Sequence, residues 1–246
     1  MQTKRICLWS GPRNVSTALM YAFAQRSDTQ VIDEPLYAHY LHTKYGAAAA
    51  DSTHPATAEV IASMATDATE VVRDVILGPC DAPVLFMKQM AHHLIEIDLG
   101  FLERTLNIFL IRDPKEMLPS LAKVIGLPTL ADTGLKTQHD LLMSLRAAGQ
   151  SPPILDARLL LEAPRRVLRQ LCERLDLRFD ASMLSWEAGG NPADGVWAPY
   201  WYGNVHRSTG FAPYRPKSEP FPTELEAVLA ACSPHYEVLR RDAIIS

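Results

Sequence analysis

Residues 4–17 read Lys-Arg-Ile-Cys-Leu-Trp-Ser-Gly-Pro-Arg-Asn-Val-Ser-Thr, and this is where the sequence is most informative. The largely apolar run from Lys4 to Trp9 predicts a short buried strand, and the apolar spacing from Val15 to Gln25 predicts a helix. Residues 10–14 between them contain the Ser, Gly, Pro and Asn typical of a turn. A loop from a strand into a helix gathers backbone N–H groups at the positive end of the helix dipole, where anions bind. The stretch therefore predicts a phosphate-binding loop.

Further strands follow this first unit along the chain. The apolar runs at residues 84–87, 106–111 and 154–155 each predict a buried strand. Helical stretches separate them at distances that suit the crossover connections of parallel neighbours. We therefore predict an α/β fold of three layers, in which a central parallel sheet carries helices on both faces, as in the P-loop nucleoside-triphosphatases.

The length and composition of the chain favour a single domain. The 246 residues, 48% of them apolar, suffice for one buried core, so we predict one domain over residues 1–246. The Ala- and Thr-rich stretch at about residues 47–80 predicts a helical insertion. Residues 186–221 crowd Gly, Pro, Trp and Tyr without periodicity, which predicts a long lid-like loop.

Charge and cysteine content argue against several classes of protein. A net charge of −4 without a long run of Lys or Arg disfavours nucleic-acid binding. The four cysteines lack the spacing of a metal site or a disulfide framework, so we expect neither. The apolar stretch at residues 6–9 is too short for a signal peptide or a membrane span. We therefore expect a cytoplasmic protein without a membrane partner.

The segment from Ser10 to Thr17 resembles the Walker phosphate loop in position and length. When Thr17 is aligned with the Walker Ser/Thr, Ser16 takes the place of the phosphate-binding lysine. This substitution argues against a nucleoside-triphosphatase or a small-molecule kinase of the P-loop class. A sulfuryl group makes a lighter electrostatic demand than a γ-phosphoryl group because it carries one negative charge. Arg13 and the loop amides can therefore bind such a group without a metal ion.

A second motif lies at residues 108–120. It reads Ile-Phe-Leu-Ile-Arg-Asp-Pro-Lys-Glu-Met-Leu-Pro-Ser, a buried strand that ends in Arg112 and then a helix that starts at Pro114 and carries Ser120. Both motifs lie at the carboxyl ends of strands, where open α/β sheets bind ligands. With the two motifs in this order, the chain resembles the sulfotransferase superfamily over most of its length.

This resemblance implies a donor, 3′-phosphoadenosine-5′-phosphosulfate, and a product, 3′,5′-adenosine diphosphate. The residues implied for its 5′-phosphosulfate are Arg13, Asn14, Val15, Ser16 and Thr17. Those implied for its 3′-phosphate are Arg112 and Ser120. A late segment resembles the basic loop that closes over the nucleotide in this superfamily, and it adds Arg207, Ser208 and Thr209, which otherwise form an ordinary polar turn.

Transfer to a hydroxyl group needs a base and a cation. Glu34 follows a strand-like Val-Ile-Asp and lies 21 residues after Arg13. It resembles the glutamate base of the protein-tyrosine and heparan-type sulfotransferases, and it is our first choice. Lys88 lies 24 residues before Arg112 and resembles the lysine of the cytosolic sulfotransferases, which implies contact with the bridging oxygen of the donor.

The cytosolic enzymes place a histidine base two residues after that lysine, but this chain has Met90 there, followed by His92 and His93. His93 therefore remains a second candidate for the base, or a structural histidine. Asp33 is either a turn cap or a catalytic group. The side chains that either stack on an acceptor or cover the core are Trp197, Trp201 and Tyr202.

Taken together, these residues predict an enzyme that moves a sulfuryl group from the donor to a hydroxyl of a small molecule. The alternatives are the P-loop kinase and a nucleotide-binding module without catalysis, for which Glu34 and Lys88 would have no use. The acceptor and the oligomeric state, a homodimer included, stay open at this point.

Overall fold

Five parallel strands form the centre of the computed structural model, which describes residues 2–52 and 54–244. The strands are β1 (Lys4–Ser10), β2 (Thr29–Asp33), β3 (Val84–Met90), β4 (Leu106–Ile111) and β5 (Ile154–Asp156). Their order in the sheet is β2-β3-β1-β4-β5, and every neighbouring pair is parallel. The predicted α/β fold is therefore confirmed.

Helices cover both faces of this sheet. They are α1 (Ser16–Ala24), α2 (Tyr37–Tyr45), α3 (Thr57–Ser63), α4 (Ala68–Val71), α5 (Pro114–Ile125), α6 (Leu130–Thr133), α7 (Leu135–Ala147), α8 (Ala157–Glu162), α9 (Pro164–Arg174), α10 (Ala198–Trp201) and α11 (Glu226–Arg240). Residues 47–80 hold α3 and α4 with short 3-10 and π turns beside them, and residues 186–221 form a loop that contains α10.

The core divides into two layers because successive strand residues point to opposite faces of a sheet. On one face, Ile6, Leu8 and Phe86 pack with α1, α8 and α9. On the other, Trp9 and Met87 pack with α5, α7 and α11. Among the residues that the structure describes, no helix is long and apolar enough to cross a bilayer.

The carboxyl ends of the neighbouring strands β2, β3 and β1 position the candidate site. In the strand register Asp33 of β2 is opposite Lys88 of β3, and Ser10 of β1 is opposite Met90. Strand β3 runs three residues beyond the predicted Met87, and its polar residues Lys88 and Gln89 are almost fully buried. A charged residue with this burial needs partners inside the protein. For Lys88 they come from the end of β2, from the residue after it and from the loop at residues 186–221.

Candidate active site

A pocket of about 760 Å³ opens at these strand ends. A first set of lining residues comes from the two motifs and Lys217, and three of its members are cationic: Arg13, Asn14, Val15, Ser16, Thr17, Arg112, Ser120 and Lys217. A second set is aromatic: Tyr37, Tyr40, Tyr45, His54, His92, His93, Trp197, Trp201 and Tyr202. Glu34 and Lys88 also line this pocket, so the structure brings together both predicted motifs and both predicted kinds of base.

The phosphate loop owes its shape to contacts with neighbouring strands and helices. A Cβ atom on Gly11 would lie 2.5 Å from the carbonyl oxygen of Thr133, so only glycine fits there. The Asn14 side-chain amide donates to the Leu110 carbonyl oxygen at 2.9 Å. Helix α1 then begins at Ser16 without a side-chain cap or an acidic residue in its first turn. The positive end of its dipole therefore faces the pocket uncompensated.

The two motifs contact each other directly. The Arg112 guanidinium donates to the Arg13 carbonyl oxygen at 2.9 Å, and the Arg13 side chain donates to the Ser120 hydroxyl at 3.1 Å. Arg13 has a left-handed backbone with φ of 53°. Non-glycine residues in this conformation cluster at functional sites, where the surrounding structure holds them.

Lys217 adds a cation that sequence reasoning missed. Its ammonium group donates to the carbonyl oxygen of Glu116 at 2.8 Å, and the Glu116 side chain pairs with Arg112 at 3.3 Å. Burial, Arg112 and Lys123 lower the pKa of Lys217, just as burial and Arg112 lower the pKa of Arg13. Cations that crowd one another in this way favour an anion between them, so the donor's phosphates fit this set of residues. No periodic pattern or motif around Lys217 marks it in the sequence.

The late segment only partly reaches the pocket. Ser208 lines it, and its hydroxyl donates to the Val205 carbonyl oxygen at 2.7 Å. Arg207 is exposed and donates instead to the Asn204 side chain at 2.8 Å. Thr209 is exposed as well and is not part of the lining. The structure therefore brings Ser208, but not Arg207 or Thr209, to the predicted nucleotide site.

Lys88 lies in a buried cluster with two carboxylates. Its ammonium group donates to Asp33 Oδ1 at 2.7 Å and to Glu34 Oε1 at 2.5 Å. It also donates to the Tyr202 hydroxyl. Burial by itself would lower the pKa of Lys88, but the two carboxylates outweigh it and raise that pKa. Lys88 is therefore charged at neutral pH.

The Asp33 carboxylate binds Lys88 and Tyr202 rather than capping a turn. Its Oδ2 accepts from the Tyr202 hydroxyl at 2.7 Å, while its Oδ1 accepts from Lys88. The Trp197 indole donates to the same tyrosine hydroxyl at 2.8 Å. A Cβ atom on Gly195 would lie 2.1 Å from the Trp197 ring, so glycine allows the loop to fold back here. Trp197 and Tyr202 thus belong to a buried network that links the lid-like loop to Lys88.

Glu34 combines an unusual backbone with an unusual environment. Its φ is 42°, and its backbone N–H donates to the Lys88 carbonyl oxygen at 2.8 Å. Burial raises the pKa of the Glu34 carboxyl, and the Lys88 ammonium opposes that rise. A carboxylate with a raised pKa is a stronger base than an exposed one, which suits it to accept a proton.

His93 lies beside Glu34, with its Nε2 at 3.9 Å from Glu34 Oε2. Its ring stacks on Tyr37 at 4.8 Å and on Tyr40 at 4.6 Å between ring centroids. Burial and the neighbouring His92 keep the pKa of His93 well below its ordinary value, so its imidazole is neutral at pH 7. Glu34 and His93, the two candidate bases predicted from the sequence, therefore lie side by side, and either can accept a proton from a substrate in the pocket.

Two polar atoms of the aromatic set have no partner within the described residues. They are His92 Nδ1 and His93 Nδ1, both buried. Burial and Lys44 lower the pKa of His92 to about 3, so this ring is neutral as well. Buried polar atoms without a partner are rare in native proteins, and at a pocket wall a bound molecule or water satisfies them. The aromatic set therefore offers hydrogen bonds as well as ring faces.

The family model described as "Sulfotransferase domain" matches residues 4–243 of this chain. A sulfotransferase from Alicyclobacillus acidocaldarius superposes with a TM-score of 0.52 at 12% identity, covering 98% of this chain and 96% of the other. The sulfotransferase domain of the Synechococcus PCC 7002 olefin synthase gives 0.51 at 16% identity, covering 94% and 96%. At these identities the two structures support the fold alone.

Two curated relatives from Arabidopsis thaliana match over 233 residues, or 94% of this chain. Branched-chain-amino-acid aminotransferase-like proteins 1 and 2 are 39% and 38% identical to it. The chain spans about two fifths of their length. Their names refer to a different reaction and belong to those longer proteins.

Proposed function

The chain belongs to the sulfotransferase superfamily, and we propose that it transfers a sulfuryl group from 3′-phosphoadenosine-5′-phosphosulfate to a hydroxyl group of a small molecule. One observation carries this proposal: a cationic set around Arg13 and Arg112 shares one pocket with the Glu34–Lys88 cluster. A binding module needs only the cations that hold the phosphates. An enzyme also needs a base, here Glu34, and a cation beside the leaving group, here Lys88.

For the donor, we assign the two motifs to its two anionic ends. The phosphate loop, with Arg13, Asn14, Val15, Ser16 and Thr17, would hold the 5′-phosphosulfate. The 3′-phosphate would lie at Arg112, Ser120 and Lys217, with Ser208 nearby. Guanidinium groups suit phosphates because their planar donors match phosphate oxygens in pairs. When bound, the donor supplies an activated sulfuryl group.

For catalysis, we assign Glu34 as the general base. Its carboxylate takes the proton of the acceptor hydroxyl while the hydroxyl oxygen forms a bond to sulfur. The bond from sulfur to the phosphate bridge breaks, and Lys88 and Arg13 stabilise the negative charge left on the phosphate. His93 either orients the acceptor or serves as a second base. All four of these side chains line the same pocket.

For the acceptor, the aromatic set favours a small hydroxylated molecule with an apolar body. The expectations that the protein has no nucleic-acid partner and no membrane partner, and that it is cytoplasmic, stay predictions from the sequence. The oligomeric state, a homodimer included, stays open. The P-loop kinase has less support, because Ser16 stands where its lysine would be.

The 3′-phosphate assignment predicts the effect of Arg112→Ala. Charged hydrogen bonds contribute about 1.5–3 kcal/mol each, so this change should weaken 3′,5′-adenosine diphosphate about 10- to 150-fold. Adenosine 5′-monophosphate lacks the 3′-phosphate, and its affinity should change little. Isothermal titration calorimetry with both nucleotides measures this difference.

Arg207→Ala is the matched control for that variant, since Arg207 is exposed and bonded to Asn204. It should bind both nucleotides like the unchanged protein. Equal losses for the two nucleotides in Arg112→Ala would point to a folding defect, and a large loss in Arg207→Ala would return that residue to the site.

The proposed reaction also predicts independence from divalent metal ions. A singly charged sulfuryl group needs only the cations and amides of the pocket, whereas γ-phosphoryl transfer relies on Mg²⁺. Initial rates should be the same with and without an excess of chelator. An absolute magnesium requirement would favour the kinase instead.

A further inference from the structure

Lys88, which lines the pocket, has no N–H group left to donate to a ligand. An ammonium group has three N–H donors and no acceptor. Those of Lys88 go to Asp33, Glu34 and the Tyr202 hydroxyl, and the residue is only 1% exposed. An oxygen of the sulfuryl donor can therefore accept a hydrogen bond from Lys88 only if one of these partners leaves.

Tyr202 is the partner that leaves at the lowest cost. Separating Lys88 from Asp33 or Glu34 would leave a buried charge without its partner, which is strongly destabilising. The Tyr202 hydroxyl is neutral, because burial and Asp33 raise its pKa well above the ordinary value. It also comes from a loop, next to the exposed Gly203.

The remaining contacts of Tyr202 make this exchange a small movement. Its hydroxyl keeps a carboxylate acceptor in Asp33 at 2.7 Å and an indole donor in Trp197 at 2.8 Å. Gly195 N–H also points at Asp33 Oδ2, at 3.4 Å. Two hydrogen bonds to Asp33 Oδ2 therefore tether the loop from Gly195 to Tyr202, so that it can shift away from Lys88 by a small distance without being released.

We propose that the Tyr202 hydroxyl occupies the position on Lys88 that an oxygen of the sulfuryl donor takes when that donor binds. Exchange of the hydroxyl for this oxygen makes Tyr202 a positioning residue, which couples binding of the sulfuryl donor to movement of the loop from Gly195 to Tyr202. This inference rests on the proposed function. Tyr202 keeps Lys88 fully bonded in the free protein, so the lysine stays aligned until the donor arrives. Donor binding competes with this internal hydrogen bond.

The test compares Tyr202→Phe with the unchanged protein in the binding of 3′,5′-adenosine diphosphate, measured by calorimetry. Without the competing hydroxyl, Lys88 should bind the nucleotide about 5- to 50-fold more tightly, since hydrogen bonds to charged groups are among the stronger ones. Tyr236→Phe is the matched control, because that buried tyrosine also donates to a carboxylate, Asp156, at 2.8 Å but does not line the pocket. It should bind like the unchanged protein.

Unchanged or weaker binding by a folded Tyr202→Phe would overturn the inference while leaving the proposed function in place. No binding by the unchanged protein would remove both. A second measurement does not need this variant. The nucleotide should change the tryptophan emission of the unchanged protein, the double replacement of Trp197 and Trp201 by Phe, which removes both indoles of the loop, should abolish most of that change, and Trp186→Phe should keep it. A change that persists in the double variant would also overturn the inference.

Discussion

Replacing Glu34 with Gln is expected to lower kcat about 10²- to 10⁴-fold and to leave the affinity for 3′,5′-adenosine diphosphate nearly unchanged. Glutamine keeps the shape of the side chain and an oxygen that accepts from Lys88, so the cluster stays intact with Asp33 as its remaining counter-ion. What it loses is the ability to take a proton. Steady-state rates and calorimetry on the same preparation separate these two properties.

His93→Asn is the comparison for that variant and should cost less. Because burial raises the pKa of Glu34, the unchanged enzyme should lose rate as pH falls through that raised value, above the ordinary range of a glutamate. This acid limb should be absent from Glu34→Gln. If Glu34→Gln kept full turnover and His93→Asn abolished it with the nucleotide still bound, the histidine would be the base.

Replacing Lys88 with Met is expected to give the largest loss of stability. It leaves Asp33 and Glu34 buried side by side without a counter-ion, and breaking a buried pair costs about 3–5 kcal/mol. For a domain of this size that corresponds to a melting temperature about 6–20 °C lower. Differential scanning calorimetry at neutral pH measures the effect.

The pH dependence of this variant follows from the same carboxylates. With Lys88 gone, only the hydrogen bond from Tyr202 still opposes the rise that burial and Asp33 cause in the pKa of Glu34, so its charge destabilises the fold above that pKa. The deficit should shrink as pH falls through it. Lys4→Met is the control, because Lys4 pairs with a fully exposed Asp176 at 2.6 Å and its loss should hardly matter. Equal losses in the two variants would mean that the Lys88 cluster adds no stability.

The parts of the fold that local sequence determines could be predicted. The phosphate loop and the strand before Arg112 were predicted because apolar runs, turn residues and a proline at a helix start act within a few residues of one another. The parallel sheet followed from the spacing of those runs. The carboxyl ends of its strands meet at one edge, and this brought Glu34, Lys88 and Arg112 together as expected.

Contacts between distant segments could not be predicted in the same way. Tyr202 reaches Lys88 across 114 positions of sequence, from a loop without periodicity. Lys217 enters the pocket from the same kind of segment, while the more motif-like Arg207 turns to Asn204. Which loop residues fill a site depends on how the loop packs on the core, and local propensity does not contain that information.

The central claim is that this pocket binds a nucleotide with phosphates at both the 3′ and the 5′ position. Calorimetric titration of the unchanged protein with 3′,5′-adenosine diphosphate and with adenosine 5′-monophosphate tests it most directly. Arg112, Ser120 and Lys217 predict that the bisphosphate binds at least about 10-fold more tightly, since each charged hydrogen bond contributes about 1.5–3 kcal/mol. Equal affinity for the two nucleotides would contradict the account.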